Sequence, residues 1–444
     1  MASTYLTHTT STPTNSDKAT LSFWLKRSKL SSGQGVFAQD TDGNDKFAFI
    51  LGSNDTISIF QETAGTVDIN LVTNRVFRDT SAWYNFVLHF DSTQGAGSNR
   101  VQLFVNGVQE TSFSTATYPN SNVDFRFNKS GIVQEIGRYE GGNYFDGLLS
   151  HINFIDGTIY PASTFGSTDS TTGEWKINTS PSVTYGTNGF FILKDGNSVT
   201  DQSGNSNNFT VGGGTLTKTE DSPSNVFATM NSLDNFYAGS TLSNGNNTVA
   251  TVSSNAAYNP SNFAIKTGKW YWEVKLVACS AGNGSEATII GMSNQSPTSS
   301  GYGGSIQGSG GFGIRGNGKM WAGGSEETGW SAIAVGNIAM IAVDFDNGKF
   351  YAGINGTWGN SGDPTSGSTG TGAYSFTVGS DVWFMAVNQR ETSQTATFSL
   401  NFGEGFFGTT AAGTQADDNG QGLFAYDVPA GYYALNTKNL EAYG

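Results

Sequence analysis

The residues able to do chemistry in this chain are few and thinly spread. Its 444 residues include three His (His8, His89, His151) and one Cys, Cys279. Three scattered imidazoles leave little for a multi-histidine metal centre. A single thiol excludes an intramolecular disulfide framework and any Cys-rich metal site. No G-x-S-x-G elbow occurs and Cys279 lies in an apolar strand context, so general-base work would fall to carboxylates. Asp344 and Asp346, two apart, share one face of a strand. They flank Asn347-Gly348, which suits strand-end and turn residues better than acid–base partners. Three carboxylates crowd the run QDTDGNDKF, namely Asp40, Asp42 and Asp45, with Asn44 beside them. Such a cluster could hold Ca²⁺, which takes about six to eight oxygens. The run departs from an EF-hand loop, with Gly43 at its fourth position and Leu51 at its twelfth. A tight Asp-Gly turn explains it without metal, and Asp195, Asn197 and Asp201 in KDGNSVTDQSGN offer the same two readings.

Sugar binding is the ligand chemistry best supplied. Aromatic rings stack on the apolar faces of pyranoses, while Asn, Asp and Gly-rich loops provide hydrogen bonds. Tyr302, Trp321, Trp330 and Trp358 fall in or beside loops of Gly, Ser and Asn. Each could equally staple a loop or cap a core. Trp24, Trp83, Trp270 and Trp272 sit inside strand patterns and are expected in the core. The chain is therefore expected to bind rather than to catalyse.

The elements that must carry these residues are strands. Charged residues are only 13% of the chain, about half the usual share, and glycine occurs 59 times. With 22 Lys+Arg against 36 Asp+Glu, the formal net charge is −14. That balance argues against nucleic acid, whose phosphates need Lys and Arg, and against anionic membrane surfaces. No stretch approaches the ~18–20 apolar residues of a membrane span. The start MASTYLTHTTSTPTNSDKAT shows no secretory pattern, which predicts a protein kept in a cytoplasm or released with a particle by lysis.

Helical periodicity is nearly absent; polar–apolar alternation punctuated by Gly, Asn, Asp and Ser predicts an all-β chain. Asn106-Gly107, Asn347-Gly348 and Asn355-Gly356 are hairpin signals, and Asp156-Gly157 reads the same way. In WYWEVKL, Trp270, Trp272, Val274 and Leu276 share one face, and Tyr271, Glu273 and Lys275 the other. In WYNFVLHF aromatics occupy both faces, so that strand should be covered on both sides. The expected division is a β-sandwich over 1–165, a structured connector over 166–227, a second β-sandwich over 228–407 and a tail over 408–444. The tail, with Phe424, Tyr426, Tyr432 and Tyr433, would pack on its own domain or dock as an arm on a neighbouring subunit.

Residues 20–165 resemble a laminin-G or concanavalin-A-like jelly roll in TLSFWLKRS, WYNFVLHFDS with NRVQLFVNGVQ, and IGRYEGGNYFDGLLSHINFIDGTIYPASTFG. Residues 263–407 resemble a SPRY domain in TGKWYWEVKL, GFGIRGNGKMW, IAMIAVDFDNGKFYAGINGTW and FSLNFGEGFF, in that order. The combination is similar to virion proteins of tailed phages of marine bacteria, with Asp201–Thr210 and Asp417–Leu440 carrying the recurring connector and end patterns. The resemblance implies a virion protein on the particle surface, as a tail fibre, appendage or host-receptor (glycan) binding component. Tail fibres usually begin with a separate anchoring domain, whereas here the first sandwich opens within about twenty residues. That leaves room for a capsid decoration or cement protein, and a polysaccharide depolymerase is a further alternative. The resemblance also implies partners among other virion proteins, self-association with a trimer favoured, and loop-rim Ca²⁺ in the first sandwich. Concanavalin-A-like hydrolases carry Glu-x-Asp-x-Glu on one strand, and no such triplet occurs here. No heptads are present, so a trimer would form through sandwich faces or the tail.

Overall fold

A computed structural model of the chain describes residues 3–40, 43–194, 198–234, 239–253, 257–283, 285–294, 306, 310–322, 325–391 and 393–444. The fold is all-β: strand accounts for 44% of residues and helix for 6%. The chain divides into two compact units, Met1–Lys218 and Thr219–Gly444.

The first unit is a sandwich of two antiparallel sheets. Eight strands run in the order Phe113–Thr117, Thr66–Val76, Thr56–Thr63, Lys46–Leu51, Gln34–Asp40, Val133–Ile136, Tyr5–Thr9 and Thr210–Gly213. Six run as Phe190–Ile192, Gly147–Asp156, Lys18–Arg27, Trp83–Asp91, Val101–Val105 and Val108–Glu110. Phe23, Phe49, Phe86, Leu88 and Phe154 interdigitate between them, fully buried. The strand Trp83–Asp91 is covered on both faces, as its aromatics require. Phe86, Leu88 and Phe90 enter this core, while Val87 packs under Ala162 and Phe165. On that outer side the Trp175 indole donates to Asn85 Oδ1 (3.1 Å), and His89 Nε2 meets the Tyr160 carbonyl (2.7 Å).

The stretch 166–227 is divided between the units. Phe190–Ile192 joins the six-stranded sheet beside Gly147–Asp156, and Thr210–Gly213 joins the eight-stranded sheet beside Tyr5–Thr9. Its apolar residues need a sheet to bury them, and the first sandwich supplies both edges.

The hairpin signals separate into three behaviours. Asn106-Gly107 and Asn355-Gly356 form two-residue turns with both residues at positive φ (48° and 77°, 49° and 86°). In each, the Asn side-chain oxygen also accepts an N–H from the neighbouring strand, Asn85 in one case and Ile338 in the other. At Asn347-Gly348 only Gly348 is at positive φ, and Phe345–Gly348 make a four-residue turn in which Asn347 donates twice to Asp344. Asp156-Gly157 is not a hairpin. The strand ends there and Asp156 turns inward, where its carboxylate takes four donors: the N–H groups of Thr14, Asn15 and Asn188 and the Asn128 amide. A buried carboxylate must be satisfied in this way, and that demand overrides the turn propensity of Asp-Gly.

The second unit is likewise a sandwich. One sheet runs Thr241–Ser243, Thr248–Ala250, Ala396–Asn401, Lys269–Cys279, Ile338–Asp344, Lys349–Ile354 and Thr357–Trp358, with two short strands added, Tyr374–Ser375 and Tyr433–Ala434. The other runs Ala257–Pro260, Phe384–Gln389, Thr288–Ser293, Phe312–Arg315, Met320–Ala322 and Ser325–Glu327. Trp270, Trp272, Val274 and Leu276 point into the core between the sheets, as their alternation requires.

The opposite face of that strand receives the tail. Tyr271 packs edge-on against Phe424 (5.0 Å), and Tyr432 and Ala434 bury beside them. Glu273, with no solvent exposure, accepts from Tyr271 Oη (3.0 Å), Asn401 Nδ2 (3.3 Å) and the N–H groups of Ala425 (3.0 Å) and Tyr426 (2.9 Å). Residues 408–444 therefore pack on their own unit. Asp417 repeats the device, taking the N–H groups of Asn419, Gln421 and Ala434 and the Asn439 amide. Among the described residues the one α-helix is Thr437–Tyr443, and no helix is long and apolar enough to cross a membrane.

Candidate functional site

The six-stranded sheet of the second unit positions the site. Its inner face is apolar: Phe312, Ile314 and Met320 enter the core. Strand alternation then turns Arg315 and Trp321 outward. Cross-strand pairing sets Gly291 beside Gly313, Gly313 beside Trp321, and Trp321 beside Glu326. A Cβ on Gly291 would collide with the Phe312 carbonyl, and one on Gly313 with that of Ile290. Glycine at both places lets these strands approach closely behind the indole.

Around Trp321 lies an ion network. The Arg315 guanidinium sits over the Trp321 ring, 5.0 Å from its centroid. Its Nη1 meets Glu286 (3.1 Å) and, more closely, Glu326. Glu326 also takes Lys319 (2.9 Å); Glu286 also takes Arg390 (3.5 Å), which in turn meets Glu391 (3.1 Å). The order Glu391, Arg390, Glu286, Arg315, Glu326, Lys319 alternates in sign throughout. In a chain with so few charges, this is a marked concentration. The Arg315 side chain is 2% exposed, whereas Glu286 is 55%, Lys319 41% and Glu326 30% exposed. Trp321 is half-buried. The arrangement thus presents an aromatic ring rimmed by solvent-facing carboxylates and an ammonium, the groups that recognise sugar hydroxyls by charge-assisted hydrogen bonds.

The four aromatic candidates separate. Trp321 is half-buried on the outer face of its sheet. Trp330 is buried in the core, its ring set against Gly359, so it is a packing residue. Trp358 is half-buried, edge-on to Tyr351 at 6.5 Å. It packs against the cluster that buries the tail. Tyr302 lies outside the described residues.

The described carboxylates of the acidic turns accept protein donors. Asp45 pairs with Arg126 and accepts the Ala64 N–H (2.8 Å), and Asp40 accepts the Gly43 N–H (3.2 Å). Asp201 takes the N–H groups of Phe191, Ser203 and Asn207 and the Ser203 hydroxyl. A carboxylate offers about four lone-pair sites, so Asp201 is spent on shaping the DQSGNSNNFT segment. Asp42, Asp195 and Asn197 lie outside the described residues. Among the described residues no group of three or more His, Cys, Asp or Glu is arranged to hold a metal ion.

The sequence singles out Trp321 as a candidate but not its neighbours. Arg315, Glu286, Glu326 and Arg390 are far apart in the chain, and single residues gave no spacing to read. One signal was present: the second unit has only two arginines, Arg315 and Arg390, and both converge on Glu286.

Comparison with known proteins gives one family match. Residues 1–163 match the model of the concanavalin A-like lectin/glucanases superfamily. No curated protein matches the chain. Among solved structures, the SPRY domain of human HERC1 is 14% identical over 38% of this chain and 96% of that one, with a TM-score of 0.29. The native heptameric SAP-like pentraxin of Limulus polyphemus is 14% identical over 36% and 72% (TM-score 0.28). Domain 4 of AbnA, an extracellular arabinanase of Geobacillus stearothermophilus solved with arabinotriose, is 16% identical over 33% and 65% (TM-score 0.26).

Proposed function

We propose that the chain is a glycan-binding protein without catalytic activity, displayed on the surface of a tailed-phage particle and attaching it to host-cell sugars. The observation that carries the binding reading is the half-buried Trp321 bordered by Glu286, Glu326 and Lys319. A pyranose laid on the indole would bury its C–H face, while its hydroxyls reach the exposed carboxylates and ammonium. The reading favours neutral sugars, because the second unit holds more than twice as many acidic as basic residues and a further anion would be repelled. Binding is preferred to hydrolysis because both Glu286 and Glu326 are engaged by one guanidinium nitrogen; neither stands free as acid or nucleophile. The virion placement is supported by the resemblance of Asp201–Thr210 and Asp417–Leu440 to the marine-phage pattern. In this reading the partners are other virion proteins and further copies of the chain.

The test has two arms. The full chain and its Trp321→Ala variant are applied to an array of neutral and acidic bacterial glycans. Signal on neutral glycans that is lost in the variant is expected, and equal signal from both proteins overturns the reading. Immunogold labelling with antibody to the chain should decorate intact particles, and bare particles would refute the display.

A further inference from the structure

We infer that Arg315 is a positioning residue: it fixes the pitch of the Trp321 ring, and the ion network exists to hold Arg315. The inference rests on the reading of Trp321 as the sugar platform. A ring that receives a ligand must be held in one orientation before the ligand arrives, or its ordering offsets the binding energy. Trp321 stands near the edge of its sheet, with only the short strand Ser325–Glu327 beyond it, so sheet packing alone holds it weakly. Arg315 supplies the missing restraint. A guanidinium is planar and stacks on an indole face, which an ammonium cannot do.

The restraint is itself anchored. Arg315 sits over the ring. Glu286 and Glu326 grip its Nη1 from two different segments, the approach to strand Thr288–Ser293 and the strand Ser325–Glu327. Arg390 and Lys319 hold those carboxylates in turn. Isolated surface pairs contribute little, but a network around a buried guanidinium fixes geometry. Two consequences follow. One face of the indole is taken by the guanidinium, so a sugar stacks on the other face only. Loosening any grip on Arg315 tilts the ring even where the fold is unchanged.

The test reads the ring directly. The full chain is labelled with 5-fluorotryptophan, and the Trp321 line in the ¹⁹F spectrum is assigned by its loss in Trp321→Phe. Arg315→Lys keeps the charge and removes the planar fork. The Trp321 line is expected to move toward the position of free tryptophan while the other eight Trp lines hold. Affinity for the neutral glycan found on the array should fall about two- to tenfold, the cost of ordering one side chain on binding. Glu286→Gln leaves Arg315 in place with a weaker grip, and should move the same line part of the way; it decides the matter if Arg315→Lys fails to fold. A Trp321 line that stays put in the folded variants overturns the inference. Unchanged sugar binding in Trp321→Ala refutes the platform reading instead, and the ¹⁹F shift still decides what positions the ring.

Discussion

Glu273 offers the most quantitative prediction. Its carboxylate is wholly buried with four donors and no cation among the bonds that satisfy it. Two of those donors are backbone N–H groups of the tail, so Glu273 is the tie between Lys269–Cys279 and residues 425–426. In Glu273→Gln the shape is kept, but the amide –NH₂ faces donors where an oxygen stood. Two donors lose their acceptor, at about 1–3 kcal/mol each. Relief from burying a charge offsets part of that, and a net loss of about 2 kcal/mol is expected near neutral pH. Burial lifts the Glu273 carboxyl above its ordinary value, against the four hydrogen bonds that pull it down. The native state then keeps a proton that the unfolded chain releases. That contribution is full below about pH 4.5 and fades as pH rises through the lifted value. The stability gap between wild type and Glu273→Gln should accordingly narrow as pH rises from 4.5. Urea unfolding at a series of pH values measures the gap, and hydrogen exchange at the Ala425 and Tyr426 amides reports the tie itself. Unchanged exchange at those two amides, with a gap flat in pH, would refute the reasoning.

Other substitutions probe different parts. Asp55→Ala strands the buried Arg27 guanidinium (3.1 Å in the pair) and frees Arg78, so the first unit should lose about 3–5 kcal/mol in denaturant melts. Trp330→Ala empties a core position and should cost about 3–5 kcal/mol, with sugar affinity of the remaining folded protein retained. Burial depresses the His8 and His89 imidazoles, outweighing their carbonyl contacts, so the unfolded chain binds protons first on acidification. The first unit, which holds every His in the chain, should lose stability as pH falls below about 6.5, before the second unit does. Thermal melts resolved by unit would show the reverse order if this is mistaken.

The fold was legible because alternation is a local property. WYWEVKL and WYNFVLHF each declare two faces, and both faces are used as their residues require. The turns were legible where two residues decide the geometry, as at Asn106-Gly107 and Asn355-Gly356, and not where a distant demand intervened. At Asp156 that demand is a buried carboxylate needing donors from Thr14, Asn128 and Asn188, which no window around Asp156-Gly157 contains. The same limit governs the site. Trp321 could be singled out by its glycine-rich surroundings, but its partners at 286, 315 and 326 come together only through sheet register. Composition set Trp330 and Trp321 in the same class; packing against Gly359 separates them. The acidic turns show the same limit, since an Asp-rich sequence does not show which backbone N–H groups its oxygens serve, as those of Asp201 serve Phe191, Ser203 and Asn207.

In the proposed function Trp321 is the sugar-contacting ring. This role is tested most directly by titrating full-length chain and its Trp321→Ala variant with the neutral glycan that gives the strongest array signal, by calorimetry, after circular dichroism has shown equal strand content. Saturable heat is expected from the wild type, with at least about a tenfold loss of affinity in the variant. Equal affinity in the two proteins would contradict it.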